Sequence, residues 1–89
     1  MSDVLGLDVN QAEDLARNMR SKADEFENGA TQLTSNLANV QWTGNYANRF
    51  REDWNGSARQ NLSHIVSMLR DASDALTRHA QAQRQVSGN

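Results

Sequence analysis

The sequence contains no cysteine and no proline among its 89 residues, and each absence excludes something. Without cysteine, the chain forms no disulfide and offers no thiolate ligand to a metal. Without proline, no helix of the chain is interrupted by that residue, and no turn is marked by it. Hydrophobic residues make up 37% of the chain, less than the share usual in a compact globular domain. A short, polar, single domain of this kind has little material for a core, so we expect a partner subunit to complete it.

An excess of charge of one sign is also missing. Nine basic and eleven acidic residues give a net charge of −2, so nucleic acid is not an expected partner. Residues 1–43 carry seven acids and three bases, whereas residues 44–89 carry four acids and six bases. Halves of opposite sign favour packing against each other or against a copy of the chain. No apolar run approaches the ~18 residues of a membrane span, and the start of the chain does not resemble a cleaved signal peptide.

A repeat of apolar residues predicts a first helix over about residues 8–40. The alternating spacing of four and three places two rows of side chains on one helical stripe. Asp8 with Gln11, or Asn10 with Glu13, would cap the helix N-terminus. The two rows are Ala12, Met19, Phe26, Leu33 and Val40, and Ala16, Ala23, Ala30 and Leu37.

A second pattern predicts another helix over about residues 46–86. Upstream the spacing changes to four, and the change coincides with the poor helix formers Asn55, Gly56 and Ser57. We predict a continuous helix with a weak or bent point there, the alternative being a break into two helices. The two rows of this pattern are Ala58, Ile65, Ala72 and His79, and Leu62, Leu69, Leu76 and Gln83.

The second helix is apolar over an arc too wide for one facing helix to cover. We therefore predict an all-α fold, an antiparallel two-helix hairpin that dimerises into a four-helix bundle. The predicted core of the hairpin or of the dimer comprises Met19, Phe26, Leu33, Leu37, Phe50, Trp54, Leu62, Ile65, Leu69 and Leu76.

The connection at residues 41–45 contains Trp42, Thr43 and Gly44. Gly44 suits the positive φ of a sharp reversal, and Thr43 or Asn45 would cap the second helix. The Trp42 ring has two interpretations at this point. It either closes the open end of the hairpin, or it is an anchor at an interface with a partner.

Trp42-Thr43-Gly44 between two heptad-patterned helices, with Phe50 in the next turn, resembles the WXG family. These are the early secretory antigenic target proteins of type VII (ESX) secretion systems, found chiefly in actinobacteria and other Gram-positive bacteria. The resemblance covers about residues 9–86. It implies a non-enzymatic protein, secreted without a cleaved signal, that forms a homodimer or a heterodimer with another WXG-type chain and binds the secretion ATPase. Trp42 and Gly44 match the turn element of the family's export signal.

The other element of that signal is a Tyr-x-x-x-Asp/Glu motif, which this sequence lacks. Its only tyrosine, Tyr46, is followed four residues later by Phe50. We expect a partner chain to carry the motif. Two alternatives stay open: the chain uses another export route, or it is not exported and is an adaptor or chaperone that delivers a larger effector to the secretion machinery.

The chemistry-bearing side chains form no convergent set, and we predict no catalytic, cofactor or metal site. His64 and His79 lie 15 residues apart, and His79 is predicted to be partly buried on the helical seam. Arg70 and Asp74 are spaced as an i,i+4 ion pair on a solvated face.

Overall fold

Helices account for nearly all of residues 6–87, the part of the chain that the computed structural model describes. Helix α1 spans Val9–Asn39, helix α2 spans Asn45–Asp53, a π-helical segment spans Trp54–Ala58, and helix α3 spans Arg59–Ser87. Within the described residues there is no strand, and the predicted all-α fold is confirmed. We call the paired helices α1 and α3 the stem, and the reversal with α2 the tip.

The N-terminus of α1 has a side-chain cap. The Asp8 carboxylate accepts a hydrogen bond from the Gln11 amide at 3.0 Å, and the Ala12 amide donates to the Asp8 carbonyl at 2.9 Å. The capping carboxylate satisfies a backbone donor that has no partner inside the helix. Of the two predicted caps, the structure has the one at Asp8, and Asn10 lies within the helix.

The reversal between α1 and α2 depends on one glycine. Gly44 adopts φ 115° and ψ 173° at the N-cap position of α2, so the predicted positive φ is confirmed. The prediction that Thr43 or Asn45 caps α2 is wrong. Gly44 occupies the cap position, where it has no side chain to offer, and its carbonyl accepts from the Asn48 amide at 3.0 Å.

The stem is an antiparallel pair of helices that approach each other through small residues. Early residues of α1 meet late residues of α3, as in the 2.6 Å contact from Glu13 to Arg84. Small side chains allow two helix backbones to come close, because they present shallow holes to the facing helix. The buried residues of the stem are Ala12, Ala16, Ala23 and Leu37 on α1, with Val66, Ser73 and Ala80 on α3.

The seam of α3 lies one residue later than one of the two predicted rows. The buried row is Val66, Ser73 and Ala80, whereas Ile65 is 41% exposed and His79 is exposed. The predicted partial burial of His79 is therefore wrong. Closely packed helices favour small residues in their seam. Ile65, one residue before Val66, lies to one side of that seam.

The second helical stretch is kinked at the predicted weak point. Gly56 has φ −94° and ψ −110°, outside helical geometry, within the π-helical segment between α2 and α3. Short π-helical insertions and glycine are common causes of helix kinks. The predicted bend is therefore present: helical segments continue on both sides of Gly56, which is itself non-helical.

The molecule is a thin rod of 64 × 18 × 12 Å with a radius of gyration of 19.2 Å. A compact domain of this length would have a radius of gyration of about 12 Å. Two helices in contact cover only one side of each other, so the other sides remain open.

Candidate functional site

Three aromatic rings lie together on the surface of the tip. The Trp42 ring centroid is 6.1 Å from that of Tyr46 and 6.0 Å from that of Phe50, with interplanar angles of 47° and 50°. Tyr46 and Phe50 are four residues apart on α2 and therefore share one face of that helix. Trp42 is 37% exposed and Tyr46 is 70% exposed. We call these three residues the tip cluster, and such exposed aromatic surface is typical of an interaction site.

Arg51 holds the reversal together through three backbone carbonyls. Its Nε donates to the Leu37 carbonyl at 3.0 Å, and its two Nη atoms donate to the carbonyls of Trp42 at 2.7 Å and Val40 at 3.4 Å. The guanidinium carbon also lies 5.7 Å from the centroid of the Trp42 ring. Sequence reasoning missed Arg51. The one clue in the sequence is that the last turn of α1 has no basic residue of its own to bond the helix-end carbonyls.

The second tryptophan has a different environment from the first. The Trp54 indole donates from Nε1 to the Thr34 hydroxyl at 2.9 Å, and that hydroxyl donates to the Ala30 carbonyl at 2.7 Å. Trp54 is half-buried and links the π-helical segment to α1. It therefore links the hairpin's own elements, whereas the Trp42 ring lies in the tip cluster and is 37% exposed.

One edge of the stem is closed by polar contacts, and we call it the polar edge. Arg70 contacts Asp24 at 3.0 Å and Glu27 at 2.9 Å. The predicted pairing of Arg70 with Asp74 is wrong, because the Arg70 side chain crosses to α1 instead. The hydrogen bond to Asp24 is the largest of the effects that raise the pKa of Arg70. The polar edge also includes the contact between Glu13 and Arg84.

A buried hydroxyl links the seam to the polar edge. Ser73 is fully buried, and its Oγ donates to the Ala16 carbonyl at 2.9 Å. The same oxygen accepts from Arg20 at 2.6 Å, and Arg20 also reaches the Thr77 hydroxyl at 3.4 Å. Both hydrogen-bonding capacities of the Ser73 hydroxyl are used, so its burial carries no unsatisfied polar atom.

The opposite edge of the stem is apolar and open. Viewed along α1, Phe26 and Leu33 lie to one side of the buried alanine row, and Asp24 and Glu27 lie to the other. Because the charged sides of the two helices meet, their apolar sides share the remaining edge. We call this surface the apolar face, and its most exposed members are Leu15 (46%), Phe26 (44%), Leu33 (38%), Ile65 (41%) and Met68 (57%).

The predicted core residues fall into three groups in the single chain. Only Leu37 is buried, and Phe26, Leu33, Phe50 and Ile65 are exposed. The others, which are half-buried, are Met19, Trp54, Leu62, Leu69 and Leu76. The predicted turn element, Trp42 and Gly44, lies in the tip. The start of α1 and the end of α3 lie at the opposite end of the rod. Sequence reasoning did not place Leu15 on the apolar face, because that residue lies outside both predicted rows.

The described residues hold no group of three or more metal-ligating side chains, and none of their helices is long and apolar enough to cross a membrane. His64 and His79 are exposed on α3. A cleft of about 230 Å³ opens between α1 and α3 beside Phe26, Leu62 and Val66. It is smaller than the roughly 300–1,000 Å³ of most ligand pockets, and it is a gap in the helix packing.

Comparisons of the chain with models of protein families, with curated proteins and with solved structures find no match. Any function assigned to the chain therefore depends on its own residues and geometry, and on the resemblance described above.

Proposed function

We propose that this chain is a small, non-enzymatic helical hairpin exported by a type VII (ESX) secretion system as an effector or antigen. The exposure of Trp42 at the tip carries the proposal, next to a reversal made by Gly44. Tryptophan is enriched among the residues that dominate binding at protein interfaces. An aromatic ring exposed at the end of a rod is accessible to a large partner such as the secretion ATPase.

Dimerisation is the second part of the proposal, and the apolar face supports it. Its members are large side chains that no other part of the described chain covers. Complete burial of a fully exposed side chain of this kind contributes about 1.5–3 kcal/mol, and these side chains have 38–57% of their surface left to bury. A second hairpin laid on this face would complete a four-helix bundle, as a homodimer or as a heterodimer with another WXG-type chain.

A second candidate function is an adaptor or chaperone that stays in the bacterium and delivers a larger effector to the secretion machinery. The absence of a Tyr-x-x-x-Asp/Glu motif favours it. In this alternative the apolar face would bind the cargo. In the first proposal a partner chain supplies the motif, and the protein leaves the cytoplasm without cleavage of a signal peptide.

Export is the experiment that tests the proposal. The chain, with and without a WXG-type partner carrying the tyrosine motif, would be expressed in an actinobacterial host with and without an active type VII system. We expect intact protein in the culture supernatant only where the system is active. Supernatant free of the protein, beside a soluble cytoplasmic pool, would reject export and favour the adaptor.

A substitution pair tests the role of the tip. Trp42→Ala should abolish export while helicity and assembly mass stay unchanged, because the ring neighbours that the structure shows are Tyr46, Phe50 and Arg51, all in the tip. Trp54→Phe is the matched control, since it removes the other tryptophan, which lies in the hairpin. Export of a folded Trp42→Ala variant at the wild-type level would show that the ring is not part of the signal.

A further inference from the structure

We infer that Arg51 is the positioning residue that holds the Trp42 ring in place beside Tyr46 and Phe50, an inference that rests on the proposed recognition of Trp42. Two observations carry it: the three carbonyls that the guanidinium bonds, and its position against the Trp42 ring. The seam between the two stem helices is made by other residues, and Arg51 touches the stem only at the end of α1, through the Leu37 carbonyl.

The end of α1 receives side-chain donors from α2. The last carbonyls of a helix have no partner within it, and many helices end in a glycine whose backbone arrangement satisfies them. Here the C-cap is Val40 in an extended conformation with φ −80° and ψ 144°. Arg51 supplies the missing donors, because its Nε reaches the Leu37 carbonyl and one Nη reaches that of Val40.

The same guanidinium fixes Trp42 twice. Its shortest hydrogen bond, 2.7 Å, is to the Trp42 carbonyl, and its carbon lies 5.7 Å from the centre of the Trp42 ring. A cation at this distance is attracted by the negative face of the indole. The backbone and the side chain of Trp42 are thus held by one group, while Tyr46 and Phe50 border the ring.

Lysine cannot replace arginine in this arrangement. The guanidinium presents several N–H donors in a rigid planar fork, whereas the ammonium is a compact point charge. Arg51→Lys therefore keeps the charge and loses the simultaneous contacts to three carbonyls. Arg51→Gln loses both the fork and the charge, so the difference between the Lys and Gln variants measures what the charge alone contributes to holding the ring.

The test uses the full chain with Trp54→Phe, so that Trp42 is the only tryptophan. Near-UV circular dichroism and acrylamide quenching would report the order and exposure of its ring, and far-UV circular dichroism would report the stem. For Arg51→Lys we expect loss of the near-UV tryptophan signal and faster quenching, with stem helicity retained. Arg78→Lys, the same change at an exposed position of α3, should alter neither.

Export of the same variants connects the ring to the proposed function. We expect Arg51→Lys to lose export to the level of Trp42→Ala, and Arg78→Lys to be exported as the wild type. An ordered ring in both Arg51→Lys and Arg51→Gln would overturn the inference, even if Trp42→Ala still abolished export. A disordered ring with normal export would also overturn it, provided that export requires Trp42.

Failure of the proposed function gives a different pattern. If Trp42→Ala is exported as the wild type, the recognition of Trp42 is wrong, and the spectra alone then decide whether Arg51 positions the ring. If Arg51→Lys unfolds the tip, the near-UV spectrum and quenching of Arg51→Gln are used instead to measure the order of the Trp42 ring.

Discussion

The two long edges of the stem differ in how their side chains are satisfied. On the polar edge, Arg70 spans from α3 to two carboxylates of α1, and Arg84 reaches Glu13. On the apolar face, Phe26 and Ile65 are exposed, and no other residue between positions 6 and 87 covers them. The polar edge is thus paired within one hairpin, whereas the apolar face is the surface that the proposed dimer would cover.

The two edges contribute differently to stability and to the specificity of pairing. Exposed ion pairs contribute only about 0–1 kcal/mol each, so the polar edge adds little stability. It does pair defined residues of the two helices, since Arg70 contacts Asp24 and Glu27, and Arg84 contacts Glu13. On the apolar face, burial would contribute more free energy per side chain than an exposed ion pair does, with less constraint on which residues meet. Both properties suit association between chains.

The largest expected effect comes from placing a charge on the apolar face. Ile65→Asp should dissociate the assembly, since an unpaired carboxylate would be buried at a cost of about 2 kcal/mol or more, roughly thirtyfold in the dissociation constant. Light-scattering mass against concentration measures it. Ser67→Asp is the matched control, because that exposed residue lies on the far side of α3. An unchanged mass for Ile65→Asp would place the interface elsewhere.

A moderate effect is expected from enlarging the seam that lies between the two edges. Ser73→Leu should lower the stability of the hairpin by about 1–3 kcal/mol, because a larger side chain forces the closely packed helices apart. Thermal unfolding at fixed protein concentration would show a lower midpoint, by ~4–8 °C for each kcal/mol in a chain of this size. Ser67→Leu adds the same bulk at an exposed site, and an equal shift in both variants would contradict the assigned seam.

The smallest effect is expected on the polar edge. Glu13→Gln and Arg84→Gln, alone and combined in a double-mutant cycle, should give a coupling free energy of no more than about 1 kcal/mol. The two side chains are 32% and 53% exposed, so added salt should reduce the coupling further. A coupling that is larger and independent of salt would mean that this edge, too, is buried in the assembly.

The sequence predicted those parts of the fold that depend on local signals. Asp8 is a favourable capping residue, Gly44 suits a positive φ, and Gly56 lowers helix stability, so each could be placed without knowledge of the partner helix. The helical stripe of α1 was evident for the same reason, since its spacing is regular over many turns.

The parts that sequence reasoning missed depend on distances between helices. Ser73 and Ala80 are poor hydrophobic signals, yet they are buried because α1 presents alanines that permit a close approach. Arg51 bonds carbonyls up to 14 residues earlier in the chain, and no periodic pattern records such a contact. Trp42 was placed at the reversal, but its exposure could be read only from the folded tip.

The thinness of the rod has a consequence for transport. End-on, the backbone presents a cross-section of 18 × 12 Å, whereas a globule of the same length would be about 30 Å across. Pairing two hairpins through the apolar face widens one of these dimensions by roughly one helix layer, about 10 Å, and leaves the other nearly unchanged. A channel could therefore pass the folded protein lengthwise, with the tip leading or trailing, through an opening that would exclude a compact domain of equal mass.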